Sequence, residues 1–229
     1  MEYGDKHILV LGAGASGIGA SWVLAQVGAH VVLNDYKPVM LPTAEEERLV
    51  SAGVEIITGR QDESLLDGVD RIVISPGLSL KAAQARGIDI VSEVELAYEV
   101  SKSPIVAVTG TNGKTTTTTL LTKVLEGSGK PVRVGGNIGD SLSEVAYSMP
   151  AGGFLVAELS SYQLETIKHF RPIGAIMLNI TPDHLARHKT MENYIAAKER
   201  IFENQLSTDY LVLNIDDPVV ADMEHRSPS

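Results

Sequence analysis

The sequence predicts an α/β protein made of two parallel-sheet domains in tandem. Two observations support this prediction. Apolar strands run directly into a glycine-rich loop and then a helix at residues 7–27 and again at residues 105–125. Short β-branched runs also alternate with helical periodicity along most of the chain, which is typical of parallel sheets covered by helices on both faces. Such sheets bind ligands beyond the carboxyl ends of their strands.

The composition indicates a globular protein and excludes several classes of site. Hydrophobic residues make up 44% of the 229 residues and charged residues 21%, which are values of chains that bury a large core. The formal net charge is −10, and the sequence contains no basic stripe, so we expect neither a nucleic-acid partner nor a membrane partner. The chain has no cysteine, which excludes disulfides and thiolate metal ligands and fits a cytoplasmic protein.

The first glycine loop completes the pattern G-x-G-x-x-G. A strand from His7 to Leu11 precedes Gly12-Ala13-Gly14-Ala15-Ser16-Gly17, a helix follows to about Val27, and the next strand leads to Asp35. In the dinucleotide fingerprint, the helix N-terminus faces a diphosphate and an acidic residue about 20 positions further on faces ribose hydroxyls. Taken alone, the pattern predicts dinucleotide binding. Glycines that only permit close packing of helix and strand are the alternative, as is a targeting segment for the apolar stretch at residues 8–33.

The alternation of strands and helices continues to the end of the first domain. The predicted elements are a helix at 43–51, strands at 54–58 and 71–74, a short helix at 80–86, a strand at 88–91 and a helix from 93 to about 100. Ser92 and Glu95 have the spacing of a capping box at the start of that last helix. The polar segment 101–104 predicts the domain boundary, with domains at residues 1–103 and 104–229.

The second glycine loop predicts a phosphate site. The strand from Ile105 to Val108 leads into Thr109-Gly110-Thr111-Asn112-Gly113, and Lys114, Thr115 and Thr116 begin a helix. In such a loop the backbone N–H groups surround the phosphates, the lysine neutralises the outer phosphates and the first hydroxyl after it binds Mg²⁺. The match to the general P-loop is incomplete, because Val108 stands where that pattern has glycine. A strand–helix turn with a solvated lysine is the alternative.

Polar residues follow three further strands of the second domain. Strands at 132–134, 154–157 and 173–178 lead to Asn137, Glu158 and Asp183-His184, and a helix at 191–205 and a strand at 210–213 come after them. Because parallel strands end at one edge of a sheet, we expect these side chains near the glycine loop. A carboxylate beside a P-loop lysine and threonine suits Mg²⁺. A solvated strand end for Glu158 and a capping or surface position for His184 are the alternatives.

Lys198 lies within the apolar stripe of the predicted helix at 191–205, where a leucine would be ordinary. The stripe consists of Met191, Tyr194, Ile195, Ile201 and Phe202. One interpretation is that the lysine extends to solvent along this face. The other is that the protein buries the amine and uses it in a site. Desolvation lowers the pKa of a buried amine and favours its neutral form.

Five motifs in order resemble those of the Mur ligase family: GTNGKTT, GGNIG, ELSSYQL, NITPDHL and ENYIAAKERIF. The first domain, with LGAGASG and SPG, is most similar to members that join D-glutamate to UDP-N-acetylmuramoyl-L-alanine. The resemblance implies an amide ligase of peptidoglycan synthesis that uses ATP and Mg²⁺, forms an acyl phosphate and acts as a monomer. It also implies that the first domain binds the UDP part of the substrate and not NAD.

The resemblance also implies roles for individual residues. The implied ATP-binding residues are Gly110, Thr111, Asn112, Gly113, Lys114, Thr115 and Thr116. The residues implied to bind the UDP-linked substrate are Gly14, Ala15, Ser16, Gly17, Asp35, Tyr36, Ser75, Pro76, Gly77 and Asn137. The implied catalytic residues are Lys114, Glu158, His184 and Lys198. The implied metal ligands are Thr115, Glu158, His184 and Lys198, the last as a carbamate.

The chain departs from the family pattern at two points. Ala186 stands where relatives commonly have an aspartate in DHLDRH. The family also has a third domain that brings the amino acid, and we expect this chain to lack it, to end within the second domain and to be inactive alone. The alternative functions are an L-alanine-adding Mur ligase, an NAD-dependent oxidoreductase and a non-catalytic nucleotide-binding module.

Overall fold

The computed structural model describes residues 3–74 and 81–229, which form two parallel sheets of five strands each. The first sheet consists of β1 (His7–Leu11), β2 (His30–Asp35), β3 (Glu55–Thr58), β4 (Arg71–Ile74) and β5 (Asp89–Ser92), in the order β3-β2-β1-β4-β5. The second consists of β6 (Ile105–Thr109), β7 (Val132–Gly136), β8 (Phe154–Glu158), β9 (Gly174–Met177) and β10 (Tyr210–Leu213), in the order β10-β9-β6-β8-β7. The predicted fold class, two parallel-sheet α/β domains, is confirmed.

Helices connect the strands of both sheets. The first part of the chain contains α1 (Ala15–Gln26), α2 (Thr43–Ser51), α3 (Lys81–Ala85), α4 (Glu93–Val100) and a 3₁₀-helix at Glu63–Leu66. The second contains α5 (Lys114–Glu126), α6 (Leu142–Ser148), α7 (Ser161–Leu164), α8 (Leu185–His188), α9 (Met191–Glu199), α10 (Pro218–Ala221) and 3₁₀-helices at Arg200–Phe202 and Asp222–Arg226. Within residues 3–74 and 81–229, no helix is long and apolar enough to cross a membrane.

One predicted helix ends earlier than expected. The α-helical part of the segment predicted at 191–205 stops at Glu199 and continues as a single 3₁₀ turn to Phe202. Tightening of the last turn is common at helix C-termini, where the carbonyls lack partners within the helix. In this 3₁₀ turn the Arg200 guanidinium donates to the carbonyl oxygens of Leu164, the last residue of α7, and of Ile167 just beyond it.

The central strand β1 is covered on both faces. Ile8 and Val10 belong to one apolar cluster, whereas Leu9 and Leu11 belong to a second cluster on the opposite face. This division follows from the alternation of side chains along a strand. Because helices cover both faces, the edge at the carboxyl ends of the strands is the part of the sheet that stays open to a ligand.

Gly17 allows helix α1 to start directly against the end of β1. A Cβ atom at position 17 would lie 1.8 Å from the carbonyl oxygen of Gly12, so no other side chain fits without movement of the backbone. Gly12 itself has φ +101°, a conformation that favours glycine. The glycines of the first loop therefore serve helix–strand packing whether or not a ligand binds.

Helix α4 connects the cores of the two domains. Leu96 belongs to the apolar cluster of the first domain, whereas Val94 and Ala97 belong to that of the second. The Glu95 carboxylate is completely buried and accepts hydrogen bonds from the backbone N–H groups of residues 168, 169 and 170 at 2.7, 2.7 and 3.1 Å. The boundary at 103/104 remains a prediction, because α4 packs on both sides of it.

The predicted capping box at the start of α4 is wrong. The Ser92 hydroxyl makes no hydrogen bond with the described residues, and the Ser92 N–H donates to the Thr166 carbonyl oxygen at 3.3 Å. Glu95 turns to the segment 168–170 instead, because three N–H donors there satisfy its carboxylate better than one N–H at its own helix end.

We predict that Gly17→Ala destabilises the protein by about 3 kcal/mol, because the added methyl group overlaps the Gly12 carbonyl. Gly14→Ala is the matched control in the same loop, since a Cβ there meets no atom within 4 Å and φ is −83°. That variant should change the free energy of unfolding by less than about 1 kcal/mol. Urea unfolding without ligand measures the free energy of unfolding of both variants. An equal loss of stability in Gly17→Ala and Gly14→Ala would contradict the packing role of Gly17.

Candidate functional site

The second glycine loop connects β6 to α5 at the carboxyl edge of the second sheet. A Cβ atom at Gly110, where φ is +151°, would lie 2.9 Å from the Cβ atom of Leu178. The N–H groups of Thr111 and Asn112 donate to the carbonyl and side-chain oxygens of Asn179 at 2.9 and 2.8 Å. The segment after β9 therefore fixes the shape of the loop.

Lys114 is the first residue of α5, and its ammonium closes over the loop. Its Nζ donates to the carbonyl oxygens of Gly110 and Thr111 at 3.1 and 3.0 Å. Thr115 and Thr116 follow it and are exposed. A helix N-terminus with free N–H groups and an adjacent ammonium binds anions well. The geometry thus suits the phosphate site that the sequence predicts.

Glu158 ends strand β8 and is almost completely buried, with 1% of its surface exposed. One carboxylate oxygen accepts a hydrogen bond from Asn137 Nδ2 at 2.9 Å, and the other is buried without a partner among the described residues. The Asn137 N–H also donates to the Glu158 carbonyl oxygen at 2.8 Å. A buried carboxylate oxygen without a partner is costly, and a divalent cation would satisfy it.

The surroundings of the Glu158 carboxylate suit Mg²⁺ bound together with substrate phosphates better than they suit a metal ion whose ligands all come from the protein. Within residues 3–74 and 81–229, no three His, Asp or Glu side chains converge to hold a metal ion. Mg²⁺ usually keeps several waters and binds one or two carboxylates together with substrate phosphates. Glu158 pairs with Val108 on the neighbouring strand, immediately before the glycine loop, so it lies where a bound nucleotide would bring its phosphates.

Lys198 is buried, which contradicts the interpretation that it extends to solvent. Only 2% of its surface is exposed, and Nζ donates to the Gly110 carbonyl oxygen at 2.7 Å and lies 3.4 Å from Thr109 Oγ1. Burial and the nearby Lys114 ammonium lower the pKa of Lys198 from 10.5 to about 7, while Asp183 opposes them. A large share of the amine is therefore neutral and nucleophilic near neutral pH.

His184 lies just before α8 and connects to the loop through aromatic side chains. Its backbone is in the left-handed region, with φ +53°, which is uncommon for a residue other than glycine and is typical of functional sites. Its ring contacts those of Tyr162 and Tyr194, with centroids 4.9 and 6.4 Å apart. The Tyr194 hydroxyl lies 3.1 Å from Thr111 Oγ1. This aromatic group therefore places His184 on the Thr111 side of the glycine loop.

Sequence reasoning missed His188, which is buried beside the same aromatic rings. Its Nε2 lies 2.9 Å from Ser161 Oγ, and its ring stacks on Tyr162 with centroids 5.4 Å apart. Burial lowers the pKa of His188, so the ring supports Tyr162 in its neutral form. No short sequence pattern marks His188, because its partner Ser161 lies 27 residues earlier in the chain.

The first glycine loop lies at the carboxyl edge of the first sheet. Gly14 and Ala15 are exposed there at the N-terminus of α1. The Asp35 carboxylate accepts hydrogen bonds from the N–H groups of Ala13 and Lys37, both at 3.0 Å, so it shapes the loop, and Tyr36 is 51% exposed beside it. The predicted site residues Ser75, Pro76 and Gly77 lie outside the described residues.

The structure brings most of the predicted residues of the second domain together in two groups. Lys114 and Lys198 share the Gly110 carbonyl oxygen as acceptor, and Glu158 and Asn137 form a pair. His184 joins the first group through Tyr194, whose ring faces the Lys198 ammonium at 4.9 Å. Ala186 lies within α8, and nothing in its surroundings explains the departure from aspartate.

Comparison with known proteins gives matches along nearly the whole chain. The family model of the Mur ligase middle domain matches residues 108–229, and that of the MurD-like N-terminal domain of Mur ligases matches residues 6–92. A UDP-N-acetylmuramoylalanine–D-glutamate ligase from Caldanaerobacter subterraneus is 47% identical over 232 residues, covering 99% of this chain and 52% of the relative. The ligase of the same name from Pelotomaculum thermopropionicum is 47% identical over 228 residues, covering 97% of this chain and 50% of the relative.

The chain spans about half the length of the curated relatives it matches. A crystal structure of a murein peptide ligase from Psychrobacter arcticus has a TM-score of 0.62, at 20% identity, over 97% of this chain and 52% of that one. This likeness shows the shared fold. The match to the MurD-like N-terminal domain ends at Ser92. This residue directly precedes α4, the helix that packs on both domains.

We predict that the stability of the unliganded protein rises with pH because of Lys198. The folded state has its pKa near 7 and the unfolded state near 10.5, so between these values the unfolded chain binds more protons and stability increases. The expected slope is up to about 1.4 kcal/mol per pH unit. Lys198→Met, which keeps the packing, should be more stable near pH 7 and lose this slope. Urea unfolding between about pH 7 and about pH 9 measures both, and parallel pH profiles would contradict the prediction.

Proposed function

Because the chain belongs to the Mur ligase family, we propose that it is the nucleotide-binding part of a ligase that joins D-glutamate to UDP-N-acetylmuramoyl-L-alanine. The observation that carries the proposal is that Lys114 and Lys198 both donate to the Gly110 carbonyl oxygen. Glu158, which has one carboxylate oxygen without a partner, lies on the strand next to the one that leads into this loop. The names of the relatives at 43–47% identity support D-glutamate over L-alanine as the amino acid.

The proposed reaction proceeds in two steps. The terminal carboxylate of the UDP-linked substrate attacks the γ-phosphorus of ATP, and ADP leaves. The amine of D-glutamate then attacks the carbonyl carbon of the acyl phosphate, phosphate leaves and the nitrogen loses a proton, which gives the amide. Such a reaction belongs to the synthesis of peptidoglycan precursors, and we place it in the cytoplasm as the work of a monomer.

The residues of the second glycine loop bind the triphosphate in this proposal. The N–H groups of residues 113–116 face the phosphates, and Lys114 exchanges its two carbonyl acceptors for oxygens of the outer phosphates. Thr115 and Glu158 are the residues that would hold Mg²⁺, which would neutralise the charge that develops on the transferred phosphoryl group. Asn137 fixes the Glu158 carboxylate through one oxygen and leaves the other for this role.

We further propose that Lys198 carries a carbamate. Its neutral amine attacks the carbon of CO₂ and loses one proton, so that the product is an anion with two oxygens. Hard oxygen ligands of this kind suit Mg²⁺, and His184 approaches the same side of the loop through Tyr194. The lowered pKa of Lys198 supports this chemistry, because about half of the amine is neutral near pH 7.

The first glycine loop binds the UDP part of the other substrate in this proposal. The N-terminus of α1 offers the N–H groups of residues 14–17 to the diphosphate, and Asp35 and Tyr36 lie near the uridine. An NAD-dependent oxidoreductase would use the same loop for a different ligand, and a non-catalytic module would bind nucleotides without turnover. Ligand titration distinguishes the first of these from a ligase.

We predict that UDP and Mg²⁺–ATP each raise the melting temperature of the 229-residue chain and that NAD does so less than either. Lys114→Ala should remove the effect of ATP and keep that of UDP, because its ammonium serves one phosphate site. Lys123→Ala is the control on the same helix, where an exposed lysine pairs with Glu126. Differential scanning calorimetry measures these shifts. Tighter binding of NAD than of UDP and ATP would overturn the assignment.

We predict that ¹³C-labelled bicarbonate produces a carbamate signal in the ¹³C NMR spectrum of the protein above about pH 7, where the Lys198 amine is neutral. Addition of Mg²⁺ should strengthen the signal, because the metal stabilises the anion. Lys198→Met should lose the signal, whereas Lys114→Met, which removes the neighbouring ammonium, should retain it. A carbamate signal of equal size in Lys198→Met would place the modification elsewhere, and its absence from the wild-type protein would contradict the proposal.

A further inference from the structure

Four aromatic rings pack together beside the second glycine loop, and we call them the ring cluster. The ring of His188 stacks on that of Tyr162, with centroids 5.4 Å apart and planes inclined by 10°, and lies 5.2 Å from the ring of Tyr194. Both tyrosine rings also contact the ring of His184. His188 and Tyr194 are the buried members of the cluster, whereas the side chain of His184 is 46% exposed.

The ring cluster reaches the buried lysine through Tyr194. The Lys198 ammonium lies 4.9 Å from the centroid of the Tyr194 ring, and the hydroxyl of the same tyrosine lies 3.1 Å from Thr111 Oγ1. The ring of His184 meets Tyr194 from another side, with centroids 6.4 Å apart. The position of His184 relative to the Lys198 amine therefore depends on how the tyrosine rings are held.

A hydrogen bond at one ring nitrogen anchors His188 within the cluster. Its Nε2 lies 2.9 Å from the hydroxyl of Ser161, which is 1% exposed. Its Nδ1 lies 3.5 Å from the carboxylate of Glu165, which also pairs with the Arg187 guanidinium. A carboxylate on this side favours the proton on Nδ1, so Nε2 accepts the hydrogen bond and the Ser161 hydroxyl donates it.

Serine, histidine and glutamate in this order also occur in the catalytic triads of serine hydrolases. In those enzymes the serine oxygen must reach a substrate, whereas the Ser161 hydroxyl is buried. Its burial rules out attack on a substrate. The remaining property of such a triad is that it fixes the orientation of the imidazole, and here the imidazole is the one that stacks on Tyr162.

We propose that His188, anchored by Ser161, is a positioning residue that fixes the His184 ring relative to the Lys198 amine. The inference rests on the proposed function, because it takes these two side chains as neighbours of the Mg²⁺ that a carbamate would bind. An imidazole that is bonded at one nitrogen and packed on two tyrosines cannot rotate freely. The tyrosine rings consequently keep one arrangement, and the exposed ring of His184 packs against it.

Ser103 provides a matched comparison in the same domain. Its hydroxyl donates to the Pro150 carbonyl oxygen at 2.8 Å, and the residue is 6% exposed. Ser161→Ala and Ser103→Ala each remove one hydrogen bond of a buried serine, so both should lower the urea midpoint to a similar extent. If the Ser161 bond serves only stability, the two variants should agree in every other measurement as well.

The test follows the ring protons of His184 in NMR spectra of the unliganded 229-residue chain, because ring currents of the two tyrosines set their shifts. We expect these signals to move in Ser161→Ala and in His188→Phe, which keeps a stacking ring, and to stay in place in Ser103→Ala. Either substitution removes the same hydrogen bond, so the double variant should show no shift beyond that of His188→Phe. Additive shifts would contradict the positioning role, and Ser161→Ala decides alone if His188→Phe does not fold.

The same variants show the consequence for the metal. With ¹³C-labelled bicarbonate present, we measure the Mg²⁺ concentration that gives half of the increase in the carbamate signal. This concentration should rise about tenfold in Ser161→Ala, as is typical when a residue that orients a metal ligand is lost, and stay unchanged in Ser103→Ala. An equal change in both variants would overturn the inference.

The outcomes separate the inference from the proposed function. If the wild-type protein gives no carbamate signal while the His184 signals respond as expected, the proposed carbamate is wrong and the positioning of His184 stands. If the carbamate forms but Ser161→Ala leaves the His184 signals and the Mg²⁺ response as they are in Ser103→Ala, the positioning role is wrong and the proposed function stands.

Discussion

Two carboxylates on the first turn of α4 hold the two sheets in one arrangement. Glu93 and Glu95 are buried acceptors for N–H groups of the second domain, while Leu96 of the same helix packs in the core of the first. Removing the donors of a buried carboxylate leaves it desolvated without compensation, which costs more than an exposed hydrogen bond could contribute. Helix α4 therefore links the cores of the two domains.

The second domain holds a buried lysine, Lys198, in its core, where burial disfavours the charged form of the amine. A leucine at position 198 would satisfy the apolar stripe of α9 without desolvating a charge. The structure instead compensates Lys198 with the Gly110 carbonyl and the face of Tyr194. A buried amine that lowers stability is typical of a functional site, where activity and stability oppose each other. The same reasoning applies to the Glu158 oxygen that lacks a partner.

The sequence was sufficient to predict the fold, and it placed the residues of the candidate site on the loops and strand ends where the structure has them. β-Branched runs and glycine loops are local signals, so the strands and both loops were predictable from them. The capping box at Ser92 was predicted wrongly because the partners of Glu95 lie more than 70 residues further along the chain. Burial of His188 and the choice between burial and exposure of Lys198 likewise depend on tertiary neighbours that no short pattern encodes. Local motifs thus predict the elements that carry the candidate residues, and long-range packing decides how those residues are charged and oriented.

The contacts of Lys114 bear on how rapidly the loop can take up a ligand. Its ammonium donates to the carbonyl oxygens of Gly110 and Thr111, and the Asn179 side chain makes hydrogen bonds with the backbone of Asn112. Uptake of a phosphate then exchanges existing hydrogen bonds and does not require the loop to fold around its ligand. Little conformational entropy is lost in such an exchange. Association should accordingly not be limited by a slow closing of the loop.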